Sequence, residues 1–191
     1  MKKFSIILGA IILALFVTLV IWGVYCDNTI AITNYCVNNT KNDAKLKFVV
    51  ITDLHNKEYG EKNADLAELV KEQNPDFIAV CGDMVNRGDP DTTKMKDVLE
   101  KLSKIAPTYC CLGNHERDNA AKFGTDFKIE TNSTGAVLLD NEYIKFTKNG
   151  KSVLIGGMSD YPYYEFYTPD DDVPSRTLWE EFAEKAKNNF T

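Results

Sequence analysis

Several common ingredients are missing from this sequence. Its 191 residues hold only two histidines, His55 and His115. Five cysteines are present with no C-x-x-C spacing, which argues against a zinc ribbon, and their odd number gives little support to a disulfide framework. Cys81, Cys110 and Cys111 lie in apolar runs and read as buried thiols acting as small hydrophobes. Lys and Arg (22) are outnumbered by Asp and Glu (28), giving a net charge of −6. An acidic chain is a poor general partner for nucleic acid, whose phosphates call for basic neutralisation. No internal repeat or low-complexity tract occurs, so a solenoid is disfavoured. Finally, residues 4–25 contain no charged side chain at all.

That uncharged run is the first positive signal. As a helix it would extend roughly 33 Å, enough to cross a hydrocarbon core of about 30 Å. Lys2 and Lys3 precede it, so the positive-inside bias predicts a cytoplasmic N-terminus with the remainder outside the cytoplasm. A cleaved signal peptide would have an apolar region of only about 7–15 residues and a small-x-small end. Here the run is longer and ends in Trp22-Gly23-Val24-Tyr25-Cys26. The expectation is a single-pass anchor in the cell membrane over residues 1–26. A spacer ending as an outer strand follows over 27–45, and a globular part covers 46–191.

Within the globular part, Phe48-Val49-Val50-Ile51-Thr52 reads as a strand buried on both faces. Asn63 is placed to cap a helix over 64–73, with Leu66, Leu69 and Val70 on its apolar stripe. Phe77-Ile78-Ala79-Val80-Cys81 is a second strand. A helix over 92–104 carries Met95, Val98, Leu99 and Leu102 on one face. Thr108-Tyr109-Cys110-Cys111-Leu112 is a third strand. This alternation predicts an α/β fold with a parallel sheet and right-handed crossovers. Ala136-Val137-Leu138-Leu139 is strand-like. Lys148-Asn149-Gly150 between two β-rich segments predicts a hairpin. Beyond it come an aromatic stretch over 161–167 and a last helix over 178–188.

The three parallel strands end alike. The first runs into Asp53-Leu54-His55-Asn56, the second into Gly82-Asp83, the third into Gly113-Asn114-His115-Glu116. In open α/β sheets ligands bind beyond the carboxyl ends of the strands, so these side chains are expected to converge. Carboxylate and carboxamide oxygens suit Mg²⁺ or Mn²⁺, while imidazole suits Fe or Zn. Asp53 and His55, two apart on extended chain, would point to the same side and grip one ion. Asp83 has two oxygens and can bridge two ions. Asn114 offers a neutral oxygen to the second, and His115 is better placed as a proton donor or phosphate clamp than as a ligand. Gly82 and Gly113 would let the backbone turn ahead of these residues.

These blocks resemble the calcineurin-like metallophosphoesterases, whose pattern is D-x-H, then G-D, then G-N-H-[E/D], a later lone His and finally G-H-x-H. The first three blocks are intact and in order, and the Asp-Leu-His-Asn opening behind an anchor is similar to the family's bacterial membrane-associated branch. The resemblance implies a four-layer α/β/β/α sandwich, two divalent metal ions (Mn, Fe, Zn or Mg) and hydrolysis of phosphate esters. It implies Asp53, His55, Asp83 and Asn114 as metal ligands and His115 as the catalytic group. A membrane tether would favour lipid-linked or cell-envelope phosphate esters. The later histidines of the pattern have no counterpart here, and Asp160 and Asp170-Asp171-Asp172 do not match them in spacing. The expectation is therefore the N-terminal part of a longer, C-terminally truncated protein, with activity impaired in this form. The alternative is a catalytically inactive, membrane-tethered domain of the same fold that binds metal or a partner.

Overall fold

An unbroken apolar run leaves a helix without a polar face, and the first element has none. In this computed structural model, which describes residues 2–37, 45–158, 183, 184 and 187, helix α1 covers Lys2–Asp27. The chain divides into two units, Met1–Val37 and Asn38–Thr191. In the first, α1 is long and apolar enough to cross a membrane, and its large apolar side chains, Phe4 through Tyr25, are exposed. Its few polar groups are turned inward onto the helix: Thr18 Oγ1 donates to the Ala14 carbonyl at 2.9 Å. At the C-terminal end Asn28 Nδ2 and Thr29 Oγ1 donate to the Val24 and Tyr25 carbonyls, which also accept the Asn28 backbone N–H at 3.2 Å. Residues 29–37 form no strand. Residues 38–44 lie outside those described.

The second unit is mixed α/β, as expected. Strands β1 (Phe48–Ile51), β2 (Phe77–Cys81), β3 (Thr108–Cys111) and β4 (Val137–Leu138) form one parallel sheet in the order β1-β2-β3-β4. Helices α2 (Ala64–Glu72) and α3 (Thr93–Ile105) make the first two crossovers and pack on each other. The stripe on α3 is buried as its spacing requires: Met95, Val98, Leu99 and Leu102 are at most 3% exposed. Each such side chain stabilises the fold by about 1.5–3 kcal/mol relative to an exposed one. Met95 and Leu99 meet Val80 and Cys110, so one sheet face forms the core under α3.

The other face is covered in part by an antiparallel hairpin, β5 (Glu142–Lys148) and β6 (Lys151–Gly157). Asn149 and Gly150 both have positive φ, the two-residue turn that matches strand twist. The Phe146 ring lies 5.2 Å from that of Phe77, which stacks on Phe48 at 4.8 Å. Lys148 pairs with Asp76, whose other oxygen accepts the Lys47 N–H at 2.8 Å. Burial would raise the Asp76 pKa, but the Lys148 and Lys47 hydrogen bonds and the Lys148 charge outweigh it and hold the carboxyl below its ordinary value.

Three local expectations are corrected. β1 is an edge strand, and Phe48 and Val50 remain about half exposed among the described residues, so it is not buried on both faces. Asn63 does not cap α2 with its side chain. It sits in a left-handed conformation, and its Oδ1 accepts the Tyr59 N–H at 3.0 Å. Cys81, read as buried, is exposed at the end of β2. Two helices that the sequence reading did not anticipate follow β3: α4 (Asn114–Phe123) and α5 (Phe127–Asn132). Of the helix expected over 178–188, residues 183, 184 and 187 are helical. The aromatic stretch 161–167, Asp160 and Asp170-Asp171-Asp172 lie outside the described residues.

Candidate metal centre

Parallel pairing in register aligns the ends of β1, β2 and β3, so the segments leaving them start side by side. Backbone bonds then lash the first loop to the second. Asp53 N donates to the Gly82 carbonyl at 3.2 Å, His55 N to Asp83 at 3.0 Å and Asn56 N to Met84 at 2.9 Å. These bonds bend the chain sharply. Asp53, His55, Asn56 and Asp83 all have positive φ, which makes them four of the nine such non-glycine residues among those described. Asp, Asn and His tolerate it better than most, yet each such residue still costs on the order of 1 kcal/mol. Asp53 and His55 therefore do not meet because they alternate on an extended strand, as the sequence suggested. They meet because a left-handed turn brings Asp53 Oδ1 to 3.6 Å from His55 Nε2.

The second and third loops touch even more closely. A Cβ at Gly82 would lie 2.3 Å from Gly113 N, and one at Gly113 would lie 2.3 Å from Asp83 Oδ1. Gly82 also has φ +73°, whereas Gly113 is extended, so at Gly113 space alone demands glycine. Glu116 fastens this contact. It is 2% exposed, and its Oε2 accepts from Asp83 N (2.8 Å) and Gly113 N (2.9 Å). Its Oε1 accepts from Met84 N (2.7 Å) and Val85 N (3.1 Å). Four backbone donors on one carboxylate fix both loops. Buried Asn119 completes the frame, its Nδ2 donating to the Asn86 and Asp89 carbonyls and its Oδ1 accepting from Thr125.

All five residues singled out in the sequence share this crevice. One ligand atom each from His55, Asp83 and His115 lie within 4.8 Å of one another. The two imidazoles meet edge to face, 4.3 Å between centroids. Asp83 Oδ1 accepts the His115 N–H at 2.9 Å. The Asn114 carboxamide lies 3.2 and 3.0 Å from the two Asp83 oxygens and 2.6 Å from Arg87 Nη2. With its nitrogen toward Asp83, it donates to both oxygens and accepts from Arg87. With its oxygen toward Asp83, three oxygens face one another, an arrangement that calls for a cation between them. Asp53 stands at the rim with its side chain 58% exposed.

The donor set fits a divalent cation by a second observation. His55 Nδ1 and Asn56 Oδ1 are buried and have no hydrogen-bond partner among the described residues, and a bound cation or water would satisfy them. His115 differs from His55. Its Nδ1 accepts the Arg87 N–H at 3.3 Å, so the neutral ring carries its proton on Nε2. Cys81 and Cys111 lie directly behind the second and third loops. The Cys111 thiol donates to Cys81 and, against burial and the Asp53 charge, pulls its pKa down to about 7.

Sequence reasoning missed the work of Glu116, Asn119 and Arg87. Glu116 closes the third strand-end block, and Glu three residues after Gly113 is a helix-start signature. Arg87, four residues after Asp83, pairs with Asp118 through Nη1 at 3.4 Å, and its Nη2 lies 2.6 Å from the Asn114 carboxamide. No local signal marks Asn119.

Comparison with known proteins converges on the same segments. The family model described as calcineurin-like phosphoesterase matches residues 46–190. The uncharacterized metallophosphoesterase YkoQ of Bacillus subtilis (strain 168) is 28% identical over 120 residues, covering 61% of this chain and 44% of that protein. The phosphodiesterase YaeI of Escherichia coli (strain K12) is 30% identical over 119 residues, covering 60% and 44%. The uncharacterized metallophosphoesterase Cj0846 of Campylobacter jejuni is 35% identical over 85 residues, covering 42% and 21%. The matched part of the chain spans less than half the length of each of these curated relatives.

Proposed function

Because the chain belongs to the calcineurin-like phosphoesterase family, we propose that its strand-end crevice holds two divalent cations and serves hydrolysis of phosphate mono- or diesters. Asp53 and His55 would hold one cation, Asp83 would bridge both, and Asn114 would take the second. Cations bound there would supply a water of lowered pKa and positive charge against the phosphoryl oxygens. The protein's own groups do the rest. His115, with Nδ1 engaged by the Arg87 N–H, keeps an Nε2–H to donate as a hydrogen bond to a phosphoryl oxygen. Glu116 holds Asp83 and the start of α4 so that Asp83, Asn114 and His115 keep their spacing. The observation that carries the reading is the Asp83 carboxylate, in reach of Asn114, His115 and the His55 cluster at once.

With two histidines in the chain, the candidate ligands number four, and this form is expected to bind metal weakly and turn over slowly. The same scarcity favours a second reading, an inactive domain that binds a metal or a partner. Helix α1 supports a membrane tether, which would bring the crevice to lipid-linked or envelope phosphate esters. The excess of acidic residues speaks against nucleic acid. Divisions at residues 26 and 45 between anchor, spacer and phosphoesterase part belong to the same proposal. Hydrolysis of a chromogenic phosphodiester with Mn²⁺ is the test. Slow turnover abolished by Asp83→Asn is expected. Robust turnover would overturn the impairment, and equal rates in both proteins would overturn the site. Saturable Mn²⁺ binding without turnover would favour the second reading.

A further inference from the structure

Cys81 and Cys111 end two neighbouring strands, and they are direct partners in the parallel register of β2 and β3. Paired residues of adjacent strands share a sheet face, and strands lie about 4.7–4.9 Å apart. That separation falls within the roughly 4.4–6.8 Å Cα spacing a disulfide accepts. Both thiols are free. Cys110 pairs in register with Val80, on the opposite sheet face from Cys81, and is 5% exposed. Alternation along β3 thus keeps Cys110 away from Cys81 and selects Cys111. Among the described residues, Cys81 is exposed and Cys111 half-buried.

We propose that Cys81 and Cys111 are a modification site, a cross-strand pair that closes to a reversible disulfide at the base of the crevice. The oxidant is a small-molecule disulfide. The exposed Cys81 sulfur, having lost its proton, attacks one sulfur of that disulfide and releases one small thiol, leaving a mixed disulfide. The Cys111 sulfur, also deprotonated, then attacks the Cys81 sulfur and releases the second small thiol. Two protein thiols are oxidised to one bridge, and one small disulfide is reduced to two thiols. The bridge lies one residue before Gly82 and two before Gly113, where the second and third loops already touch. It would clamp the two strands that carry Asp83, Asn114 and His115. The disulfide does not depend on phosphoesterase activity, so its failure and that of the hydrolase reading are separate results.

The experiment uses the full chain in detergent micelles, treated with oxidised glutathione. Remaining thiols are alkylated under denaturing conditions and the peptides mapped by mass spectrometry. The expected product is a Cys81–Cys111 peptide lighter by two hydrogens, lost on adding dithiothreitol, with Cys110 alkylated. The oxidised chain should also melt at a higher temperature than the reduced one. That increase should vanish in Cys81→Ser and Cys111→Ser and persist in Cys26→Ser. Alkylation of both Cys81 and Cys111 after oxidation, or bridges through Cys26, Cys36 or Cys110 instead, would overturn the proposal. Should a serine variant fail to fold, the peptide map of the unaltered chain decides alone.

Discussion

The crevice has two unlike walls. On one, Gly82–Arg87 and Gly113–Asp118 are pressed together until no Cβ fits between their glycines, and buried Glu116 satisfies four backbone donors. On the other, Asp53-Leu54-His55-Asn56 is held by its backbone while its side chains are answered only in part. Asp53 is more than half exposed and accepts from Thr52 Oγ1, Asn56 Nδ2 donates to Asp89, and His55 Nδ1 and Asn56 Oδ1 are buried without partners among the described residues. The difference separates two uses of polar groups. A carboxylate that accepts all its hydrogen bonds from the protein holds the fold together. A polar group positioned by the backbone and left unsatisfied is available to a ligand. Positive φ is denser on this second wall, at Asp53, His55 and Asn56, against Asp83 alone of the non-glycine residues on the first.

Substitutions should divide along the same line. The largest effect is expected at Glu116, where Glu116→Ala strands four backbone N–H groups and should cost about 3–5 kcal/mol in chemical denaturation. Glu116→Gln keeps one accepting oxygen and should cost less. Next comes Gly82→Ala. Its Cβ would run into Gly113 backbone and its φ is unfavourable for alanine, so a loss of about 2–3 kcal/mol is expected in the same measurement. On the opposite wall, Asp53→Ala and His55→Ala should leave stability within about 0.5 kcal/mol. Mn²⁺ affinity should nevertheless fall by at least about tenfold, measured by titration. Large destabilisation by Asp53→Ala would break the comparison.

The smallest effect lies at the far end of the sheet. The folded pKa of Asp76 is held below its ordinary 3.8. Its contribution is therefore fully present above about pH 4 and lost as acid carries the pH down through the folded value. Melting curves should show the wild type losing more stability than Asp76→Asn between about pH 5 and pH 3.

Much of the fold was legible because it rests on local chemistry. The Met95, Val98, Leu99 and Leu102 stripe specified α3, and Asn149-Gly150 specified the hairpin turn. The strand-end residues were legible as a group because parallel topology aligns strand ends. Less could be read where tertiary contacts decide. Helix α4 opens Asn114-His115-Glu116-Arg117-Asp118-Asn119 with no apolar stripe, and it is placed by Glu116 reaching across to another loop. Phe48 and Val50 looked like core from composition, but the edge position of β1 leaves them open. Cys81 looked buried for the same reason, although it lies where β2 gives way to a loop. Asp53 and His55 do lie together, but by a local geometry other than the extended strand expected, because positive φ at three nearby non-glycine residues has no sequence mark.

Manganese titration of the full chain, followed by electron paramagnetic resonance beside Asp83→Asn, addresses the shared cation site most directly. The account predicts weak, saturable binding to the wild type that disappears in the variant, with the melting temperature little changed. Equal binding by the two proteins would contradict it.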